Sequence, residues 1–195
     1  MAAEVREARG ELRGAVPLSH FLLRGHVGAG ELAVDATCGN GGDTALLAEL
    51  VGEGGRVWAF DLQPVAIEAT RALLEEKGLS RRVELVQAGH EGLAGFVPEG
   101  LSAVVFNLGY LPGGDPALVT SPESTVAALG QAAALLKPGG IVTAALYTGH
   151  PGGPEEAAAV EEWAAALDPR RFNVWTSRQL NRSNVAPYLV WVEKV

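Results

Sequence analysis

From about residue 31 onward, short apolar runs alternate with segments of helical spacing, and this alternation limits the fold more than any other feature of the chain. Glu31–Thr37, Arg56–Asp61, Val83–Gln87, Ser102–Phe106 and Ile141–Tyr147 read as strands that are apolar almost throughout, as strands buried on both faces are. Between them, Asp43–Val51, Pro64–Lys77 and Ser121–Leu136 carry helical spacing. Gly52 and Gly78 are placed to end the first two, and Ser121-Pro122 to start the third. Lys137-Pro-Gly-Gly140 is expected to break that third helix before the fifth strand begins. A further helix, Glu155–Leu167, leads to strands at Phe172–Thr176 and Tyr188–Lys194. Only the polar stretch Ser177–Pro187 separates these two, with no helical pattern, so they are expected to run antiparallel. The prediction is an α/β, Rossmann-like fold: a seven-stranded, mostly parallel sheet with an antiparallel C-terminal strand and helices on both faces.

One compact domain is expected from 195 residues, with residues 1–30 as an N-terminal helical cap centred on Leu18–Arg24 and residues 31–195 as the main body. The net charge is −8, which excludes a general polyanion binder, because non-specific nucleic-acid affinity comes from many phosphate contacts. No DNA partner is expected, although a local basic patch is compatible with that total. Cys38 is the only cysteine, so neither an internal disulfide nor a cysteine-built zinc site can form, and no metal is expected. The charged N-terminus has no apolar signal region, and no run of about 18 apolar residues exists to span a membrane. These features together predict a cytoplasmic protein without membrane association.

The most specific local motif is Val34-Asp-Ala-Thr-Cys-Gly-Asn-Gly-Gly-Asp43, which follows a strand and opens a helix, the setting in which such a loop holds a nucleotide-like ligand. Gly39 and Gly41, flanking Asn40, let the backbone approach a ligand with no Cβ in the way. An ordinary tight turn needs fewer glycines. A dinucleotide fold calls for G-x-G-x-x-G and a pyrophosphate on the helix N-terminus, but Thr44 stands at the third glycine position. Asp43 places negative charge in the first helical turn, which suits the helix dipole and repels a diphosphate. Asp35 adds a second carboxylate at the strand end. That field favours a ligand bearing an ammonium and a sulfonium, and S-adenosylmethionine (SAM) is one. Asp61 ends the second strand and is placed to accept from both ribose hydroxyls, with Gln63 in support; a plain helix cap and a surface glutamine are the alternatives. His90 and Glu91 follow the third strand, where an acceptor for an adenine amine belongs, though His90 reads equally as a surface residue.

Beyond the fourth strand comes Asn107-Leu-Gly-Tyr-Leu-Pro-Gly-Gly-Asp115. Ligands in open parallel sheets bind past the C-terminal strand ends, so this loop should face Gly39–Gly41. Asn107 offers an amide and Tyr110 an aromatic face with a polar tip, suited to a planar base or an amine.

Taken together, DATCGNGGDT (Asp35–Thr44), AFDLQ (Ala59–Gln63), FNLGYLPGGD (Phe106–Asp115), YTGHPGG (Tyr147–Gly153) and NRSNVAPYLVWVEK (Asn181–Lys194) resemble the bacterial YtqB/MnmM-type methyltransferases, long labelled rRNA methylases. Five βα units closed by a β-hairpin is also the order of class I SAM-dependent methyltransferases. The resemblance covers nearly the whole chain after about residue 15, and FNLGYLPGGD is its most specific segment. It implies methylation, with SAM, of the aminomethyl group on a modified wobble uridine of tRNA. It further implies that Asn40, Asp43, Asp61, Gln63, His90 and Glu91 line the SAM site, and that the Asn107–Asp115 and Tyr147–Gly153 loops face the uridine. The chain departs from the family in having Gly42 where His is frequent, and Ala186-Pro187 in place of a double proline.

The mechanism expected from this is direct displacement by a neutral amine, with Asn107, Tyr110, Asp115 and His150 as candidates to orient it or take its proton. Arg170, Arg171, Arg178 and Arg182 gather toward the C-terminal hairpin, with Arg24 and His26 near the cap, and could steer an RNA backbone. Trp163, Trp175 and Trp191 lie on regular elements and read as core. Methylation of rRNA or of a small molecule, an NAD-dependent oxidoreductase, and a non-catalytic RNA-binding module are the rival functions; a homodimer is compatible with the sequence. The oxidoreductase is disfavoured by Thr44 and by the lack of a Tyr-x-x-x-Lys pair.

Overall fold

The computed structural model describes residues 12–109 and 120–195. Among the described residues, helix α1 (Ala15–His26) comes first. It is followed by β1 (Leu32–Asp35), α2 (Gly42–Val51), β2 (Arg56–Phe60), α3 (Pro64–Glu76), β3 (Val83–Val86), β4 (Leu101–Asn107), α4 (Pro122–Leu135), β5 (Leu136–Leu146), α5 (Gly153–Ala165), β6 (Phe172–Ser177) and β7 (Tyr188–Lys194). Short 3-10 turns at Ser80–Arg82 and His90–Gly95 join them. Pro64 and Pro122 occupy the first turns of α3 and α4, where a missing amide hydrogen costs nothing. Ser121 closes a reciprocal capping box with Ser124 at the start of α4.

The strands form one sheet in the order β3-β2-β1-β4-β5-β7-β6. The first five are parallel, and β7 inserts antiparallel between β5 and β6, as the short polar connection required. Alternate residues of each strand enter opposite cores. Val34, Phe60, Val104 and Phe106 face α4 and α5, while Ala33, Val57, Ala103 and Val105 face the side of α1 and α2. Burying side chains such as Phe60 and Phe106 contributes about 1.5–3 kcal/mol each. The chain builds outward from β1 to β3, then returns across the sheet to β4. The C-terminal ends of β1 and β4 are therefore a switch point, where the two connecting chains part and leave a crevice.

Two expectations need correction. Lys137–Gly140 does not separate helix from strand but arches out of β5 itself: Leu136 pairs with Leu101, and the next pair is Ala103 with Ile141. Gly139 takes φ +75°, and a Cβ on Gly140 would stand 2.7 Å from the Leu101 carbonyl oxygen, so glycine serves both positions. Trp175, read as core, is 58% exposed because β6 is the sheet edge; it stacks on Trp191 at 6.1 Å.

Helix α1 lies against β5, β7 and α2, fixed by the buried Leu23 and by a hydrogen bond from Ser19 Oγ to Thr143 Oγ1 of 2.9 Å. Among the described residues no helix is long and apolar enough to cross a membrane.

Candidate functional site

A cavity of about 470 Å³ opens at the C-terminal strand ends. Its floor is the loop after β1. Gly39 has φ +50° and Gly41 φ +84°, and Gly41 turns the chain into α2 with its amide bonded to the Cys38 carbonyl at 2.7 Å. A Cβ on Gly41 would come within 3.0 Å of the Thr70 backbone, so the loop packs directly onto α3. Thr70 Oγ1 donates to the Gly39 carbonyl across that contact (3.0 Å). At Gly42, where the resemblance leads one to expect His, a Cβ would meet nothing within 4 Å, leaving open room in the crevice wall.

Asp61 lines the cavity and braces the loop. Its two oxygens accept from the amides of Gly39 (3.0 Å) and Gln63 (2.9 Å). Asn40, Gln63, His90 and Glu91 line the same cavity. His90 is buried with its ring edge against Phe106, and its Nδ1 lies 3.2 Å from the Ala36 carbonyl. Burial holds its pKa below the ordinary histidine value, so the ring is neutral at pH 7. With Nδ1–H donating to Ala36, Nε2 is left as a bare acceptor, and this atom has no partner among the described residues.

The far end of the crevice, beyond β4 and β5, has a second group. Asp43 Oδ1 meets His20 Nε2, from α1, at 2.5 Å. Tyr147, just past β5, shares a hydrogen bond with the Asn107 side chain; burial raises its pKa, and the charge of Asp43 adds to the rise. Asn107 is itself fixed by its amide, which donates to Thr37 Oγ1 at 2.7 Å and so ties the β4 end to the β1 end. Behind this wall the buried Glu156 of α5 accepts from Thr120 (2.8 Å) and Thr125 (2.6 Å). Thr120 Oγ1 accepts from the Gly109 amide at 3.1 Å, so Gly109 and Thr120 are held together.

Several expected site residues stand elsewhere. Asp35 does not line the cavity: it is wholly buried beneath the loop, accepting from Thr44 Oγ1 (2.5 Å) and the Thr37 amide (3.1 Å). Burial first, and the charge of Asp43 second, raise its pKa to about 7, so it is a weaker source of negative charge than its position in the motif suggests. Gly41 shapes the turn without lining the cavity. His150 packs behind the wall, with Nε2 3.4 Å from where a Gly109 Cβ would stand, and not in the cavity. Tyr110 and Asp115 lie outside the described residues. Of the arginines, Arg170 is paired with Asp168 and Arg178 with Glu161, which neutralises part of the expected basic patch.

His20, Thr37, Thr120 and Tyr147 were missed as individual lining residues. Tyr147 could have been found from the YTGHPGG segment, since it directly follows an apolar strand. His20 gives no signal in its own segment, because its partner Asp43 lies across the fold.

The family model described as "Putative rRNA methylase" matches residues 57–193. A curated protein of Arabidopsis thaliana, "tRNA (mnm(5)s(2)U34)-methyltransferase, chloroplastic", is 38% identical, covering 92% of this chain and 69% of its own. Among solved structures, one described as a "putative rRNA-methylase" from Clostridium thermocellum is 42% identical with a TM-score of 0.92, covering 94% of this chain and 99% of that one. Another, a "putative methyltransferase" from Streptococcus mutans in complex with SAH, is 35% identical with a TM-score of 0.86 over 94% and 99% of the two chains.

Proposed function

This chain belongs to the family described as "Putative rRNA methylase", and from that premise we propose that it transfers a methyl group from SAM to the 5-aminomethyl nitrogen of (2-thio)uridine at the wobble position of tRNA. The name of the Arabidopsis thaliana relative supports the substrate, and the SAH held by the Streptococcus mutans structure supports the cofactor. The observation that carries the reading is the open crevice at the switch point, rimmed by Asp43, Asp61 and Glu91.

The residues present fit SAM. His90 supplies a buried, unpartnered acceptor in the crevice, the complement of an adenine amine. Asp61 would receive the ribose hydroxyls, with Gln63 and Glu91 beside it, and Gly39 and Asn40 would lie under the methionine portion. Asp43 offers a carboxylate to its positive charge. When bound, SAM supplies an electrophilic methyl group on a sulfonium. The work left to the protein is to exclude water and to align a neutral amine, which can supply on the order of 7–11 kcal/mol of the barrier. Asn107, anchored by Thr37 and Tyr147, is assigned to orienting that amine. Tyr110 and Asp115 are assigned to the substrate rim on the strength of the resemblance. The cytosol, where the single buried Cys38 would stay reduced, is the proposed setting. The NAD reading fares worse, because Asp43 stands in the first turn of α2 and lines the crevice where a pyrophosphate would sit.

The decisive experiment is incubation with SAM and tRNA lacking the terminal methylation, followed by mass spectrometry of the nucleosides. Gain of one methyl on aminomethyluridine is expected; its absence overturns the substrate assignment, while binding of SAM would leave the cofactor in place.

A further inference from the structure

We propose that His20, oriented by Asp43, is the proton acceptor for the amine that is methylated, a proposal that rests on the amine-methylation reading above. His20 reaches the crevice from α1, an element that no motif marks. Its Nε2 lies 2.5 Å from Asp43 Oδ1, and the two side chains are 30% and 11% exposed, so the pair is partly shielded and open on the crevice side. The ring is carried on a firm support, since the preceding Ser19 bonds Thr143 of β5 and Leu23, one turn on, is wholly buried. The packing of α1 on β5, β7 and β4 and against Tyr147 places it on the β4–β5 side of the crevice, whereas Asp61 stands on the β2 side.

With Nε2–H donating to the carboxylate, Nδ1 is the basic nitrogen, the arrangement in which an imidazole serves as general base. The ionisable groups facing it on neighbouring elements, among the described residues, are Asp43, then Asp35 behind it, and Tyr147 from the end of β5. The only other described histidine in the crevice wall, His90, is committed to the Ala36 carbonyl and kept neutral by burial.

A primary alkylamine has a pKa near 10, so at neutral pH it arrives mostly as an ammonium ion and cannot attack. The ammonium gives a proton to His20 Nδ1. The freed lone pair forms the nitrogen–carbon bond as the carbon–sulfur bond breaks, with that electron pair going to sulfur to leave a neutral thioether. The product is a secondary ammonium, and His20 returns its proton to water. Charge balances, since two cations become one cation and one released proton.

The test compares the unaltered protein with His20→Ala and His20→Gln, measuring methyl transfer to undermethylated tRNA at saturating SAM across pH, together with SAM affinity by calorimetry. The expected result is a rate in the unaltered protein that rises with pH along a limb set by its proton acceptor. Both variants should lose that limb and fall on the order of 100-fold near neutrality. The deficit should close at high pH, where the amine deprotonates unaided, and added imidazole should restore rate to His20→Ala. SAM affinity should be unchanged. A variant that keeps the rate and pH profile overturns the proposal; so does one that keeps the saturated rate while losing SAM affinity, which would make His20 a cofactor clamp. Gln retains a donor toward Asp43, so the fold is guarded in that variant. If the unaltered protein methylates no aminomethyluridine, the functional reading fails and takes this proposal with it, whereas a variant-only result bears on His20 alone.

Discussion

Asp35 and Asp61 are carboxylates at the ends of neighbouring strands, yet their surroundings give them opposite tasks. Asp35 is sealed under the loop with its pKa raised to about 7, against 3.8 for a free aspartate. Between those values the unfolded chain surrenders its proton and the folded chain keeps it, so this group's contribution to stability is full at low pH and declines as pH rises toward 7. Asn cannot titrate. The stability of Asp35→Asn relative to the unaltered protein should therefore improve between pH 5 and pH 8, which urea unfolding at the two pH values will check. A gap that does not move would mean that Asp35 titrates normally. Asp61 instead faces the crevice and accepts two backbone amides. Asp61→Ala should weaken SAM binding by about 10- to 100-fold, the loss expected for hydrogen bonds to a charged group worth about 1.5–3 kcal/mol, with the fold retained in calorimetry and circular dichroism. Asp61, Gln63, His90 and Asn107 line the crevice where the sequence reading put them, because each lies at, or within four residues after, the C-terminal end of a strand that borders it. That reading misjudged Asp35, because a carboxylate on the last residue of a strand looks the same in sequence whether it points up into a ligand or down into a core.

At the scale of elements, the central strands β1, β2, β4 and β5 were legible because burial on both faces writes them as apolar runs. The arch in β5 was not. Pro138 with Gly139 and Gly140 carries the same signature as a helix break, and only the pairing of Leu136 with Leu101 shows that the strand had already begun. The neck of the segment between Gly109 and Thr120 was equally hidden, because its clasp, Glu156, comes from a helix later in the chain. Glu156→Ala leaves two threonine hydroxyls without their acceptor and should cost about 2–4 kcal/mol, since the buried Thr125 hydroxyl left unpaired costs about 1–3 and the half-buried Thr120 hydroxyl loses an ordinary hydrogen bond worth about 0.5–1.5. In a domain of this size that corresponds to a fall in Tm of about 5–15 °C. If the clasp secures the proposed substrate side of the rim, the variant should raise KM for tRNA more than it weakens SAM binding; equal changes in both would assign Glu156 to general stability.

Across the whole molecule, the crevice joins residues that the chain keeps far apart. Gly39 and Asp61 come from the first half of the sheet, Asn107 and Tyr147 from the second, and His20 from a helix that precedes both. A ligand lying across the switch point therefore adds contacts between elements already joined there by the Asn107–Thr37 and His90–Ala36 hydrogen bonds. Binding to the folded state alone raises stability by about 2.7 kcal/mol when the ligand stands at 100 times its Kd. For a domain of this length that is a rise in Tm of about 5–10 °C. SAM and its demethylated product should both produce such a shift, and NAD should not, because Asp43 meets its pyrophosphate with like charge. Hydrogen exchange adds where the stabilisation falls. With SAM, protection should increase together in the loop after β1, at the end of β4 and in α1, the three places that the crevice ties together. A shift confined to the loop after β1 would mean that α1 rests beside the site without serving it, and the part given to His20 would then have no support.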